Sequence, residues 1–125
     1  FLPQRTALLF PYVSALPEGT NINVNTASSH VLAALLNTSE SAANALVNDR
    51  MAYPFNSSSE FAQRAVAKGI AVPDQGALAQ MLSINSQYFL LKTTAVCNNS
   101  EFISYSFIER VPNSAPKVYQ RTQEL

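Results

Sequence analysis

An α+β fold is predicted, with helices first and an antiparallel sheet last. Three observations point to it. Apolar residues recur at helical spacing through the first two thirds of the chain, as in Val31, Leu32, Leu35 and Leu36. From Tyr88 onward the period falls to two, with Ile103, Tyr105 and Phe107 alternating against Ser104 and Ser106. Clusters of Pro, Gly, Asn and Ser separate the segments. Residues 1–82 therefore read as a helical region of four to five helices, and residues 83–125 as three antiparallel strands.

The helical part is organised around Asn21–Leu36. Asn23, Val24, Asn25 and Thr26 read as an extended approach that turns into a helix. Thr26 is the expected N-cap, because its hydroxyl can accept an orphan backbone N–H. Leu32 and Leu35 carry the centre of the apolar stripe. A second helix, capped by Ser39 and striped by Ala43, Leu46 and Val47, pairs with the first as an antiparallel hairpin ending near Met51.

Upstream, Pro3 and Pro11 favour two short helices, about Gln4–Phe10 and Pro11–Leu16, over one long one. Leu16 to Thr20 is a turn. Downstream, Tyr53-Pro54 ends the second helix. Ser57 with Glu60 forms a capping box for a third helix, about Ser58–Lys68, which should send Phe61, Ala65 and Val66 to the core. Gly69 is its stop, and Pro73-Asp74 opens a short fourth helix to about Met81 with Leu78, Met81 and Leu82 apolar.

The strands are Tyr88–Val96, Phe102–Val111 and an edge strand Val118–Thr122. Cys97–Glu101 and Pro112–Pro116 are the connections, and Lys117 and Arg121 discourage further pairing at the edge. A sheet of three strands needs cover on its apolar face. The preceding helices, or a helix outside this piece, could supply it.

The composition narrows the function. Eight Lys and Arg balance eight Asp and Glu, so no net basic field exists to hold polyphosphate. Charged residues make up 13% against the usual quarter, so the surface leans on uncharged polar side chains. No apolar run is long enough to span a bilayer. The chain begins at Phe1 without a signal peptide and reads as an excised or processed piece of a longer protein. The single cysteine, Cys97, is expected as a buried small residue, with a disulfide to another chain segment or a reactive thiol as the other readings.

With the NVNTA turn and the sheet in view, the chain resembles the K component, a minor pseudopilin, of bacterial type II secretion. The segments that carry the likeness are LPEGTNINVNTASSHVLAALL, then Ala43 to Arg50, then PFNSSSEF, then LSINSQYFLLKTTAV. The resemblance implies a pilin-like fold with a helical domain inserted into its sheet, so that the late strands form the C-terminal part of that sheet. It implies an N-terminal inner-membrane helix absent from this piece and a periplasmic location. It also implies a place at the tip of the pseudopilus beside the I and J minor pseudopilins. The major pseudopilin, the secretin and the exported protein are further candidate partners. Calcium occurs in members of this family. No ligand set can be matched onto residues here, and no cofactor is expected.

Other chemistries have weaker footing. The NVNTAS turn also resembles helix-hairpin-helix (SAM-like) nucleic-acid-binding modules of DNA-uptake proteins. Their phosphate contact uses a Gly-rich hairpin, where bare amides meet an anion. Here the hairpin is Asn37-Thr38-Ser39-Glu40, without glycine and with a carboxylate, so no nucleic acid is expected. Ser29 and His30 are adjacent on a helix and point about 100° apart, which does not make a nucleophile–base pair. His30 is expected at the surface, Asp49 on a polar helix face and Asp74 as a cap. No enzyme activity is expected. One His and one Cys exclude an internal zinc cluster. Asn98, Asn99, Ser100 and Glu101 could give some oxygen ligands but lack EF-hand spacing. Sequons at Asn37, Asn56 and Asn98 are chance matches in a bacterial protein. Tyr88, Tyr105, Phe107 and Tyr119 carry the aromatic content of the sheet. They are either sheet core or a subunit contact, since Tyr and Phe are enriched at interface centres.

Overall fold

A computed structural model describes residues 15–72, 75–98 and 100–124. The two short helices expected before Leu16, and the roles given to Pro73 and Asp74, lie outside the described residues. The chain divides into two compact units, Phe1–Asn85 and Ser86–Leu125. The architecture is α+β, with four helices followed by a three-stranded antiparallel sheet among the described residues.

In the first unit the elements run β1 (Ile22–Asn23), α1 (Ser29–Leu36), α2 (Glu40–Ala52), α3 (Ser58–Ala67), α4 (Gln75–Met81) and β2 (Leu82–Ser83). The expected turn before β1 forms, with Gly19 at φ 79° and the Thr20 amide donating to the Pro17 carbonyl at 3.2 Å. Pairing of β1 with β2 was not legible in the sequence. Ile22 and Asn23 lie parallel to Leu82 and Ser83, which joins the approach to α1 to the segment after α4.

Thr26 is not the cap of α1. The Asn23 carbonyl accepts from both Thr26 and Ala27, and its side chain accepts from the Asn25 amide, so the chain is still turning at Thr26. Ser28 caps instead, accepting from Val31 N–H at 3.3 Å. At the other end Asn37 adopts φ 48°, and the amides of Asn37 and Thr38 return to the Ala34 and Ala33 carbonyls. Asparagine thus takes the left-handed position that a hairpin glycine would fill. Ser39 caps α2 as expected, accepting from Ala42 N–H at 3.2 Å.

Ser57 caps α3, and its hydroxyl accepts from the Glu60 amide. The return half of the capping box shifts by one residue. The Glu60 carboxylate accepts from the backbone amide of Asn56 rather than that of Ser57. The stop is a full Schellman pair, Gly69 N–H to Val66 O and Ile70 N–H to Ala65 O, with Gly69 at φ 75°. Ile70 is buried against this end.

The core is one cluster of Val24, Leu32, Leu36, Ala43, Leu46, Phe55, Phe61, Ala65, Ile70, Leu78 and Leu82. Leu35 and Val47 pack at its margin. Val66, expected in the core, is more than half exposed, as is Met81. The stripe of α3 repeats at i and i+4 through Phe61 and Ala65, and Val66 falls a further 100° or so round the helix.

Arg64 ties α2 to α3. Its guanidinium bonds Asp49 at 2.7 Å and Glu60 at 3.1 Å, reaches the Tyr53 carbonyl, and lies 4.4 Å from the Phe55 ring centroid. The hydrogen bond from Arg64 holds the Asp49 carboxyl below the usual range. The amide of Asn56 is the largest cause of the same shift at Glu60. Both folded pKa values are depressed, so this stabilisation is complete above the ordinary carboxylate range and is lost as pH falls through the lowered values. The helical unit should therefore melt at lower temperature on acidification from pH 5 toward 2. Thermal melts followed by circular dichroism check this: Asp49→Asn should start less stable and show a flatter acid dependence.

The second unit is β3 (Tyr88–Cys97), β4 (Ser100–Glu109) and β5 (Lys117–Glu124), in that order across an antiparallel sheet. The first connection is shorter than the sequence suggests. Pairing continues to Cys97 and Ser100, with Asn98 at φ 53° in the turn. Cys97 is exposed at this tip, not buried. β4 ends at Glu109 rather than Val111, which accepts the Ser114 amide in the next turn.

Candidate subunit interface

The NVNTA segment proves to be a clamp. The Asn25 side chain donates to the Phe55 carbonyl and accepts from the Phe55 amide, each at 2.9 Å. It thereby imitates one rung of a β ladder between two loops. Arg50 adds a bond from its guanidinium to the Val24 carbonyl at 2.7 Å, and burial pulls its pKa below the ordinary value. Asn23 supports the turn, Leu32 is fully buried, and Thr26 is exposed. These side chains are occupied in holding the hairpin to the α2–α3 connection.

At the hairpin itself, Ser39 takes the Ala42 amide, and Glu40 opens α2. His30 Nε2 lies 3.2 Å from Glu40 Oε1 across the bend, with both side chains about half exposed. A carboxylate where an anion would bind opposes phosphate. Among the described residues no group of three or more His, Cys, Asp or Glu gathers to hold a metal, and no helix is long and apolar enough to cross a membrane.

The sheet presents a different surface. Directly paired residues share a face, so the register Tyr88↔Glu109, Leu90↔Phe107 and Lys92↔Tyr105 places these side chains together. Phe107 and Tyr105 pair onward with Gln120 and Thr122. The register then slips between Phe107 and Ile108, leaving Tyr119 as the extra residue of a bulge. That slip turns Tyr119 onto the face of Phe107. The rings of Tyr88 and Phe107 stack at 5.5 Å, and those of Phe107 and Tyr119 meet at 5.9 Å. The four aromatic residues singled out from the sequence thus lie on one face, three of them as a ladder across three strands.

Glu109 sits at the foot of the ladder. Its carboxylate accepts from Tyr119 Oη at 2.6 Å, Gln87 Nε2 at 3.0 Å and Tyr88 Oη at 3.4 Å. The Tyr119 bond leads in holding its pKa down. Burial, then the Glu109 charge, pushes Tyr88 up. Lys117 lies over the Tyr119 ring at 4.4 Å. None of this network was legible beforehand, since it depends on the β3–β4 register and, for Tyr119, on the bulge.

The opposite face carries Phe89, Leu91, Phe102 and Val118, each between 44% and 48% exposed. Ser106 lies among them, nearly buried and taking a bond from Arg121 Nε. Alternation puts Phe89 and Leu91 on one side of β3, and the register sets that side opposite the Tyr105 and Phe107 face of β4. Phe89 and Leu91 pair with Ile108 and Ser106, not with Tyr105 and Phe107. Both faces are partly apolar, and among the described residues no buried hydrophobic side chain belongs to the three-stranded sheet. Leu90 is 70% exposed and Val96 73%. A sheet in this condition is surface to be covered.

The family follows from comparison with known proteins. Residues 22–85, just over half of the chain, match the family described as Type II secretion system (T2SS), protein K. The chain belongs to that family, and its role is in type II secretion. No curated protein matches the chain. The matched span runs from β1 to the end of the helical unit and includes the Asn25 clamp.

Proposed function

We propose that this chain is the periplasmic part of a K-type minor pseudopilin, a non-enzymatic subunit that works by assembly. It initiates or caps the pseudopilus at its tip through contacts with the I and J minor pseudopilins. The full protein is held in the inner membrane by a segment outside this piece, and the three strands form the C-terminal part of a pilin-like sheet. The observation that carries the proposal is the Tyr88–Phe107–Tyr119 ladder beside exposed Leu90, on a sheet without a hydrophobic core of its own. Aromatic side chains supply large, stiff contact area at low entropic cost, as interface centres require. The helical unit is held together within itself by β1–β2 pairing and the Asn25 clamp.

Co-purification of the full-length protein with the I and J pseudopilins from detergent extracts tests this. A Leu90→Ser/Tyr119→Ser variant changes two exposed side chains and should recover at least about tenfold less of either partner, the scale of interface hot spots. Unchanged recovery of both would remove the face from the account.

A further inference from the structure

The charges on the aromatic face are unevenly settled. Glu109 accepts three hydrogen bonds from its own unit, and Lys117 is engaged with the Tyr119 hydroxyl and ring. Lys92 has no such settlement. It is the sole charged residue in the ten of β3, and its ammonium lies 5.8 Å from the Tyr105 ring centroid. Among the described side chains no carboxylate comes within ion-pair distance of it. Its neighbours on this face are Leu90 and Thr94 along β3, and Tyr105 then Thr122 across the sheet. The acidic residues on the face are Glu109, opposite Tyr88, Glu101, opposite Val96, and Glu124 on β5, opposite Ile103. Glu109 and Glu101 are each four positions away, roughly 13 Å at strand spacing, and Glu124 stands two strands across, at least roughly 10 Å off, all beyond a physiological screening length.

A subunit seated over Leu90, Tyr105 and the ladder would cover Lys92 as well. Covering an ammonium with apolar surface is costly unless a carboxylate meets it. We infer that the partner surface presents an Asp or Glu side chain to Lys92, and that this charge pair selects the partner that the aromatic ladder then holds. The inference rests on the reading of this face as a subunit contact, and names the chemistry that contact needs.

A lysine in an exposed edge strand has a second use, which is to deter sheet-to-sheet aggregation. The two roles separate on charge reversal. Lys92→Glu keeps an edge charge and a monodisperse protein, but meets a carboxylate with a carboxylate.

The test is binding of the full-length protein to each minor pseudopilin of its own secretion system, in detergent at physiological salt. Lys92→Glu should weaken binding by at least about tenfold, while Lys92→Arg stays within about threefold of the parent. An Asp→Lys or Glu→Lys change on the partner should restore binding to Lys92→Glu. Binding of Lys92→Glu at parental strength, with Leu90→Ser still weakened, overturns the charge pair and leaves the face standing. Full binding by both variants overturns the face reading and the inference together. Failure of every carboxylate-to-lysine change on the partner to rescue, or Lys92-dependent binding to anionic lipid vesicles in place of protein, also overturns the inference.

Discussion

Replacing Phe61 with alanine is expected to remove about half of the helical unit's stability. Phe61 is fully buried and meets the Phe55 ring edge-on, with centroids 5.1 Å apart. Arg64 covers the other partner of that pair at 4.4 Å. Truncation removes the ring, leaves a cavity and loosens the Phe55 loop that Asn25 holds, so about 3–5 kcal/mol should be lost. A unit of this size has a total stability of about 5–10 kcal/mol, so about half of it goes with one side chain. Val66→Ala on the same helix is the control. Val66 is 55% exposed, and its removal should change stability by less than about 0.5 kcal/mol. Thermal melts of the two variants check the contrast directly.

The second large effect falls on Asn25. Asn25→Ala deprives the Phe55 amide and carbonyl of their partners at a part-buried site, where water restores them poorly. Two orphaned backbone groups cost about 2–4 kcal/mol together. Thr26→Ala, one residue on, should cost little, because Thr26 is exposed and not the helix cap. Ser28→Ala should cost about 1 kcal/mol through loss of the Val31 bond. Denaturant titration of the three variants gives the order Asn25, then Ser28, then Thr26. The reverse order of the last two would restore Thr26 as the cap.

These substitutions mark where the sequence was informative. The hairpin stripe, the Ser39 and Ser57 caps, the Gly69 stop and the alternation of the strands all arise from neighbours a few residues apart, and local pattern carries them. What escaped depends on distant partners. Asn25 could be ranked as a turn former from composition, but its bond partner is thirty positions away. Thr26 and Ser28 are both competent caps, and the choice went to Ser28 because Asn23 had already claimed the Thr26 and Ala27 amides for a turn. Pairing of β1 with β2 involves two residues from each strand, too few to leave a periodic trace. Cys97 was expected inside because cysteine usually is, whereas a hairpin tip exposes whatever residue it carries.

The sheet face was half legible. Alternation predicts that Tyr105 and Phe107 share a side, but it is silent on which side of the neighbouring strand joins them. Register decides that, and it brings Leu90 and Lys92, not Phe89 and Leu91, beside the aromatic rings. The bulge then adds Tyr119 and completes the Glu109 network. One signal was present: a lone lysine in ten otherwise uncharged strand residues is unusual enough to be asked about.

Secretion itself is the most direct test of the face as the working surface of a type II secretion subunit. In cells lacking the native protein, full-length Leu90→Ser should accumulate and melt like the parent, because Leu90 is 70% exposed, yet leave the exported proteins in the periplasm. Normal export by that variant would contradict the account.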